Sequence, residues 1–220
     1  MKIRTIIYFI LALLVALPVL ILADESKPVK LPDPRTDGGK ALMQALKERK
    51  SAREFSPREL PMDVMSDMLW AADGINRPDS ARHNHTAPSA MDMQEIDIYV
   101  AKADGLYLYD AAANALTQIL PDDIRALTGT QAFVKNAPVN LIYVADYSRM
   151  GKLGDADKVF YSATDTGFIS ENVYLYCASA GLNTVVRALI DKAALAKAMK
   201  LRQDQKIILA QTVGYPKEQE

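Results

Sequence analysis

The spacing of apolar positions changes period several times along the chain, and each change marks an element. In GGKALMQALKERK, Leu42, Ala45, Leu46 and Arg49 recur at helical spacing, which predicts a first helix whose buried leucine face carries Arg49 with it. Pro61 can open a second helix, PMDVMSDMLWAADG, with Val64, Met65, Met68, Leu69 and Ala72 along one side and Gly74 as its stop. Met62, Met65 and Met68 read as core filler. The period then shortens to two. QEIDIYVA sets Ile96, Ile98 and Val100 against Glu95, Asp97 and Tyr99, the pattern of a half-buried strand, and Asp104-Gly105 introduces DGLYLYD as a hairpin partner. PDDIRALTG, between Pro121 and Gly129, predicts a short helix, and APVNLIYVAD predicts the most apolar, central strand. A long helix is expected from about Ser162 to Ala180, closed by Gly181. Strand-like NTVVRALI, a helix DKAALAKAMK capped by Asp191, and a final strand QKIILAQTVGYP complete the order. Helices and strands do not alternate cleanly, so the expected fold class is α+β and not a doubly wound sheet.

The amino-terminal end follows other rules. Lys2 and Arg4 give a positive start, residues 6–22 are apolar apart from Pro18, and Ala23 precedes the polar DESKPVK. Residues 1–23 are therefore expected to be a secretory signal cut after Ala23. The alternative is an uncleaved anchor, because the apolar run is near the lower limit for crossing a bilayer. Either way the protein is expected to be exported, periplasmic or otherwise extracytoplasmic, touching a membrane only through an uncleaved signal. Residues 24–37, rich in proline and charge, are expected to form an extended arm and not a packed element. Residues 38–220 then make one domain, since 220 residues, half of them hydrophobic, suit one substantial core. A formal charge of −1 supplies no cationic field for nucleic acid. Cys177 has no partner cysteine in the chain and reads as a small buried hydrophobe.

Several familiar chemistries have no motif here. There is no G-x-G-x-x-G loop and no phosphate loop ending in Gly-Lys-Ser/Thr. His83 and His85 alternate on an extended segment with no second ligand cluster nearby, so no metal site is expected. Ser89 lies in no G-x-S-x-G elbow. What remains is ERKSAREF, residues 48–55, where Arg49, Lys50 and Arg53 crowd around Ser51 at a helix end. Forked guanidinium donors and a hydroxyl suit a phosphate. A solvated basic helix end, favourable to the helix dipole, explains the same residues equally well. A Pro-Ser-Ala turn at residues 88–90, just before the alternating strand, can present backbone to a flat ligand.

In this order, ERKSAREF, PSAMDMQEIDIYV, ASAGLNTVVRA and AQTVGYP resemble the landmarks of the FMN-dependent nitroreductase superfamily, over nearly all of residues 38–217. The likeness is greatest to its short exported members and to the branch containing the thiazole/oxazole-forming dehydrogenases. The resemblance implies a nitroreductase-like homodimer, a central mixed or antiparallel sheet flanked by helices, with one FMN at each of two interfacial sites. It implies that Arg49, Lys50, Ser51 and Arg53 hold the phosphate and ribityl chain, and that Pro88, Ser89, Ala90, Asp92 and Gln94 reach the flavin from the partner subunit. Val186, Arg187 and Ala188 would lie beside the reactive edge, with a backbone N–H directed at N5, and Lys217 would add a phosphate contact. The implied function is an FMN-dependent oxidoreductase moving hydride through flavin N5 to or from a small organic substrate. The cofactor carries that chemistry, so no catalytic side chain is required. The electron donor is open, because NAD(P)H is scarce outside the cytoplasm. A flavin- or ligand-binding module without turnover, on the same scaffold, is the alternative. Asp92 departs from the pattern, standing where many members carry Asn; an ionised carboxylate cannot donate, so it must be protonated or turned away from the flavin. Arg77, Arg82, His83 and His85 are expected near the substrate mouth.

Overall fold

A computed structural model describes residues 27–217; the signal-like residues 1–23 lie outside them. The elements in chain order are β1 (Val29–Lys30), α1 (Leu42–Glu48), α2 (Met62–Asp73), β2 (Ile75–Arg77), β3 (Asn84–His85), β4 (Ile96–Lys102), β5 (Gly105–Asp110), β6 (Ala115–Leu120), β7 (Val139–Asp146), α3 (Asp155–Ala180), β8 (Asn183–Arg187), α4 (Lys192–Ala198) and β9 (Gln205–Gly214). Seven strands form one sheet in the order β1-β6-β5-β4-β7-β9-β8, and every neighbouring pair is antiparallel. β2 and β3 pair as a separate ribbon. The architecture is the expected nitroreductase-like α+β one.

Both faces of the sheet are covered, and the two cores differ in weight. On one face α2 and α3 pack Met65, Met68, Leu69, Ile169 and Val173 over Ile96, Ile98, Val100, Leu141 and Tyr143. On the other, Leu195 and Met199 cover Tyr99, Ala101, Ile142, Val144 and Ile207. All eight residues of β7 are buried, which is why its sequence runs apolar from Leu141 to Ala145. β4 corrects the half-buried expectation: Tyr99 and Ala101 lie in the second core, and Glu95, just before the strand, is 0 % exposed. α3 ends as expected, with Gly181 in the left-handed region at φ 72° and its N–H on the Cys177 carbonyl. Cys177 is buried, and burial pushes its thiol well above the usual range.

Other expectations need revision. The leucine face of α1 is not buried within the chain: Ala45 is, but Leu42 and Leu46 are 63 % and 45 % exposed. The described part of the expected arm, residues 27–37, is extended yet packed. Val29 and Lys30 pair with Leu116 and Ala115 at the sheet edge, Leu31 is buried, and Arg35 clasps the Asp67 carboxylate at 2.6 Å. The folded unit therefore begins before Gly38, because Leu31 has a place in the core and the Pro32 carbonyl accepts from Ser66 Oγ at 2.6 Å. PDDIRALTG supplies only a single 3-10 turn, Arg125–Thr128. α3 starts at Asp155, ahead of Ser162, and its first turn carries Asp155 and Asp157, the favourable sign for a helix N-terminus.

Candidate functional site

Two groups of predicted residues are built on opposite principles. The first centres on Tyr174 of α3. Its Oη accepts the Val186 N–H at 2.9 Å and shares a 2.8 Å hydrogen bond with Ser51 Oγ. The Arg49 guanidinium lies 5.2 Å from the centre of its ring. ERKSAREF is thus a strap along the sheet edge and not a loose helix end: Ala52 N–H donates to Thr184 O at 3.0 Å, Ser56 N–H to Tyr215 O at 2.9 Å, and Asn183 Nδ2 to Glu54 O at 2.7 Å. Lys50 lines an adjacent cavity of about 310 Å³ with Tyr174, Asn183, Thr184 and Pro216.

The cations of this group have no acid partner among the described residues. Arg35, Arg82, Arg125, Arg149 and Arg202 each pair with a carboxylate. Among the described residues, Arg49, Lys50 and Arg53 have no ion-pair partner, and Glu48 beside them is taken by Lys40 at 2.6 Å. Clustered cations without acids repel one another, and a phosphate with its several acceptor oxygens relieves that repulsion.

Arg187 and Lys217 are placed elsewhere. The Arg187 side chain is 4 % exposed and donates to Thr212 Oγ1 at 3.1 Å, Thr128 O at 2.6 Å and Asn140 Oδ1 at 3.0 Å. Burial, with no carboxylate to offset it, lowers its pKa to about 10. Gly129 makes room for it, since a Cβ there would stand 2.0 Å from Nη1. The Arg187 guanidinium is therefore withdrawn from the Tyr174 cluster, and the Val186 N–H is already committed to Tyr174. Ala188, just past β8, is exposed. Lys217 lines a different cavity, with Phe55, Pro57 and Lys135.

The second group is the turn from Pro88 to Gln94. Met91, Asp92 and Gln94 hold φ values of 51°, 54° and 50°, a left-handed conformation costly for residues with a Cβ. Side chains secure it. Asp165 Oδ2 accepts the Ala90 N–H at 2.8 Å, and Ser89 Oγ accepts the Gln94 N–H at 2.8 Å while donating to Glu95 Oε2 at 3.3 Å. Asp92 is turned into its own loop, held by Arg82 at 3.3 Å and by Asn84 Nδ2 and Gln94 Nε2 at 3.1 Å each. His85 Nδ1 lies 3.1 Å from Asp73 Oδ1, and Arg77 Nη2 donates to the His85 carbonyl at 3.0 Å. Asp73 is pushed above the usual carboxylate range, first by burial, with His85 opposing.

One chain does not join the two groups. Tyr174 anchors the first and Asp165 the second, and these lie roughly 13 Å apart along α3 and about half a turn apart around it, by helix geometry. Tyr174, Asp165, Glu95 and the Asp73–His85 pair are site residues that the periodicity did not reveal; the one available signal was a glutamate directly after a turn, where an alternating strand enters the core.

Comparison with known proteins gives these groups a context. The model of the nitroreductase family matches residues 46–215. A protein of Methanocaldococcus jannaschii, provisionally named a nitroreductase, is 31% identical over 154 residues, spanning 66% of this chain and 76% of its own length. A crystal structure from Ralstonia eutropha JMP134, also provisionally named a nitroreductase, superposes with a TM-score of 0.84 at 40% identity, over 90% of this chain and 93% of that one. The NADPH:FMN oxidoreductase of Vibrio harveyi, complexed with NAD+, shares the fold at a TM-score of 0.60 and 17% identity, over 80% of this chain and 69% of that one.

Proposed function

We propose, from the premise that this chain belongs to the nitroreductase family, that it is an exported, homodimeric oxidoreductase whose FMN sits between the Tyr174 cluster of one copy and the Pro88–Gln94 turn of the other. The observation that carries this reading is the set of unpaired cations, Arg49, Lys50 and Arg53, beside the Ser51–Tyr174–Val186 hydrogen bonds. Arg49 and Arg53 supply forked donors for the phosphate, and Ser51 adds a short one. The exposed backbone after Val186 provides the N–H beside the ring edge, and positive charge nearby favours an anionic reduced ring. FMN, when bound, supplies hydride transfer at N5, so this chain's residues bind, orient and exclude water.

The partner copy is supported by exposed apolar side chains. Leu42, Met43 and Leu46 on α1, and Phe160 and Phe168 on α3, are all exposed, apolar surface of the kind that a partner covers. A second copy covering it would account for the leucine face that α1 leaves open. It would also bring a turn to each cation cluster.

Export shapes the choice of electron donor. With NAD(P)H scarce outside the cytoplasm, we infer either a dehydrogenase that takes hydride from a small organic substrate, in keeping with the thiazole/oxazole-forming branch, or reduction by a membrane or periplasmic carrier. Rapid NADPH turnover with a nitroaromatic acceptor contradicts that part. The absorption spectrum of protein recovered from the envelope tests the cofactor, and anaerobic bleaching by a donor distinguishes an enzyme from a binding module. Arg49→Ala with Ser51→Ala removes charge-assisted hydrogen bonds worth about 1.5–3 kcal/mol each. The double variant should lose at least about a hundredfold in flavin affinity; wild-type retention refutes the assignment.

A further inference from the structure

Beneath the Pro88–Gln94 turn lies a cavity of about 260 Å³, enclosed by the end of α2, the β2–β3 ribbon, the start of β4 and α3. Its floor is apolar, with Ala87, Ile96 and Ile169, and its polar wall is predominantly acidic: Asp73, Asp92, Glu95 and Asp165 face it against Arg77 and His85. Most of these groups are already engaged. Asp92 is held by Arg82, Asn84 and Gln94, Asp73 by His85, and one oxygen of Asp165 by the Ala90 N–H. Arg77 directs Nε to Asn76 Oδ1 and Nη2 to the His85 carbonyl, and Arg82 engages Asp92, so among the described residues no guanidinium pairs with the Glu95 or Asp165 carboxylate.

Glu95 is the exception. It is 0 % exposed, its Oε2 takes a single 3.3 Å hydrogen bond from Ser89, and its Oε1 is buried without any partner. A buried acceptor left unpaired costs about 1–3 kcal/mol, and more for a charged group, so a native site that keeps one needs a reason. Burial first, then the neighbouring Asp165 charge, hold the Glu95 carboxyl above the usual range. A donor entering the cavity with a positive charge would answer both deficits together.

We propose that this cavity binds a small organic cation, a protonated primary amine or amidinium on a body of about one ring, whose N–H groups meet Glu95 and Asp165 while the ring lies on Ile96 and Ile169. The volume sets the ligand size, being below the 300–1,000 Å³ typical of sites for drug-sized molecules. Binding itself does not depend on flavin. A role as the substrate subsite does rest on the flavin reading, because Pro88 and Ser89 form both the cavity wall and the turn assigned to the partner's ring.

The sign of the pH dependence follows from the groups around Glu95. Asp165 on α3, Asp73 at the end of α2, His85 on β3 and Arg77 on β2 line the same cavity, and the Arg149 charge opposes the upward shift of Glu95. A bound cation favours the ionised carboxyl, so binding expels a proton and strengthens as pH rises through the Glu95 range.

Calorimetry on the purified mature chain, with benzylamine and benzamidine as probes and benzyl alcohol as the neutral isostere, tests this. We expect the cations to bind at least tenfold more tightly than the alcohol at pH 7.5, to lose affinity as the pH is lowered, and to lose their preference in Glu95→Gln. Equal affinity for amine and alcohol, no amine binding, or a preference surviving in folded Glu95→Gln overturns the proposal. If that variant does not fold, the wild-type amine-to-alcohol ratio and its pH dependence decide alone. Flavin absorbance recorded on the same samples separates the two readings: amine binding to colourless protein sustains the cavity assignment and counts against the flavin one, and yellow protein indifferent to amines does the reverse.

Discussion

The cluster around Tyr174 and the turn from Pro88 to Glu95 are both tied to α3, yet they are stabilised in opposite ways. The first sets cations without acid partners on a connecting strap with no left-handed residue. The second sets acids, including the partly unpaired Glu95, around a backbone with successive left-handed residues. A cation cluster left open awaits an anion, whereas a strained turn braced by Ser89, Asp165 and Asp92 is held rigid before anything binds. On the proposed reading, the difference is a division of labour in which one region supplies affinity and the other supplies shape.

Arg187 sharpens that contrast most strongly, because it is the cation near the first cluster that is buried with each of its three guanidinium nitrogens hydrogen-bonded. Truncation to Ala leaves Thr128 O, Asn140 Oδ1 and Thr212 Oγ1 without it and should cost about 3–5 kcal/mol, in the range for breaking a buried charged network. A fall in Tm of roughly 10 °C is expected, with flavin affinity per folded molecule unchanged. An affinity loss without a stability loss would move Arg187 into the anion site. Tyr174→Phe comes next. It removes the acceptor of the Val186 N–H, costing about 1 kcal/mol or 2–4 °C in Tm, and should weaken flavin binding severalfold by freeing Ser51 to wander. Met91→Gly is the smallest. It relieves a left-handed residue that is exposed, raising stability by about 0.5–1 kcal/mol. A destabilised Met91→Gly in thermal melts would mean that the Met side chain, and not the backbone, holds the turn.

Much of the fold was legible because burial and period agree. α2, β4, β7, α4 and β9 each carry their own core face, and Asp191 caps α4 as its sequence promised, accepting the Ala194 N–H at 3.0 Å. The failures share a physical cause. Leu42 and Leu46 are patterned for a surface that their own chain does not provide, and the early turns of α3, with Val159 and Phe160 exposed, lack the periodicity that would have announced them. β1 was hidden because pairing at a sheet edge requires only two residues and a buried Leu31 amid prolines. In the candidate site, the sequence exposed ERKSAREF and the Pro-Ser-Ala turn through local charge and turn chemistry. Tyr174, Asp165 and Asp73 were not legible, because a residue inside a helix gives no local sign of the loop it will clasp.

The claim on which the rest depends is that cations from one copy and a turn from another complete each site. Mixed dimers of Arg49→Ala/Ser51→Ala chains with Pro88→Trp chains test it directly, since each variant alone should bind no flavin. The mixed dimer retains one intact pairing, and the account predicts one FMN per dimer by absorbance. Mixed dimers that remain colourless, with both parent variants folded, would contradict it.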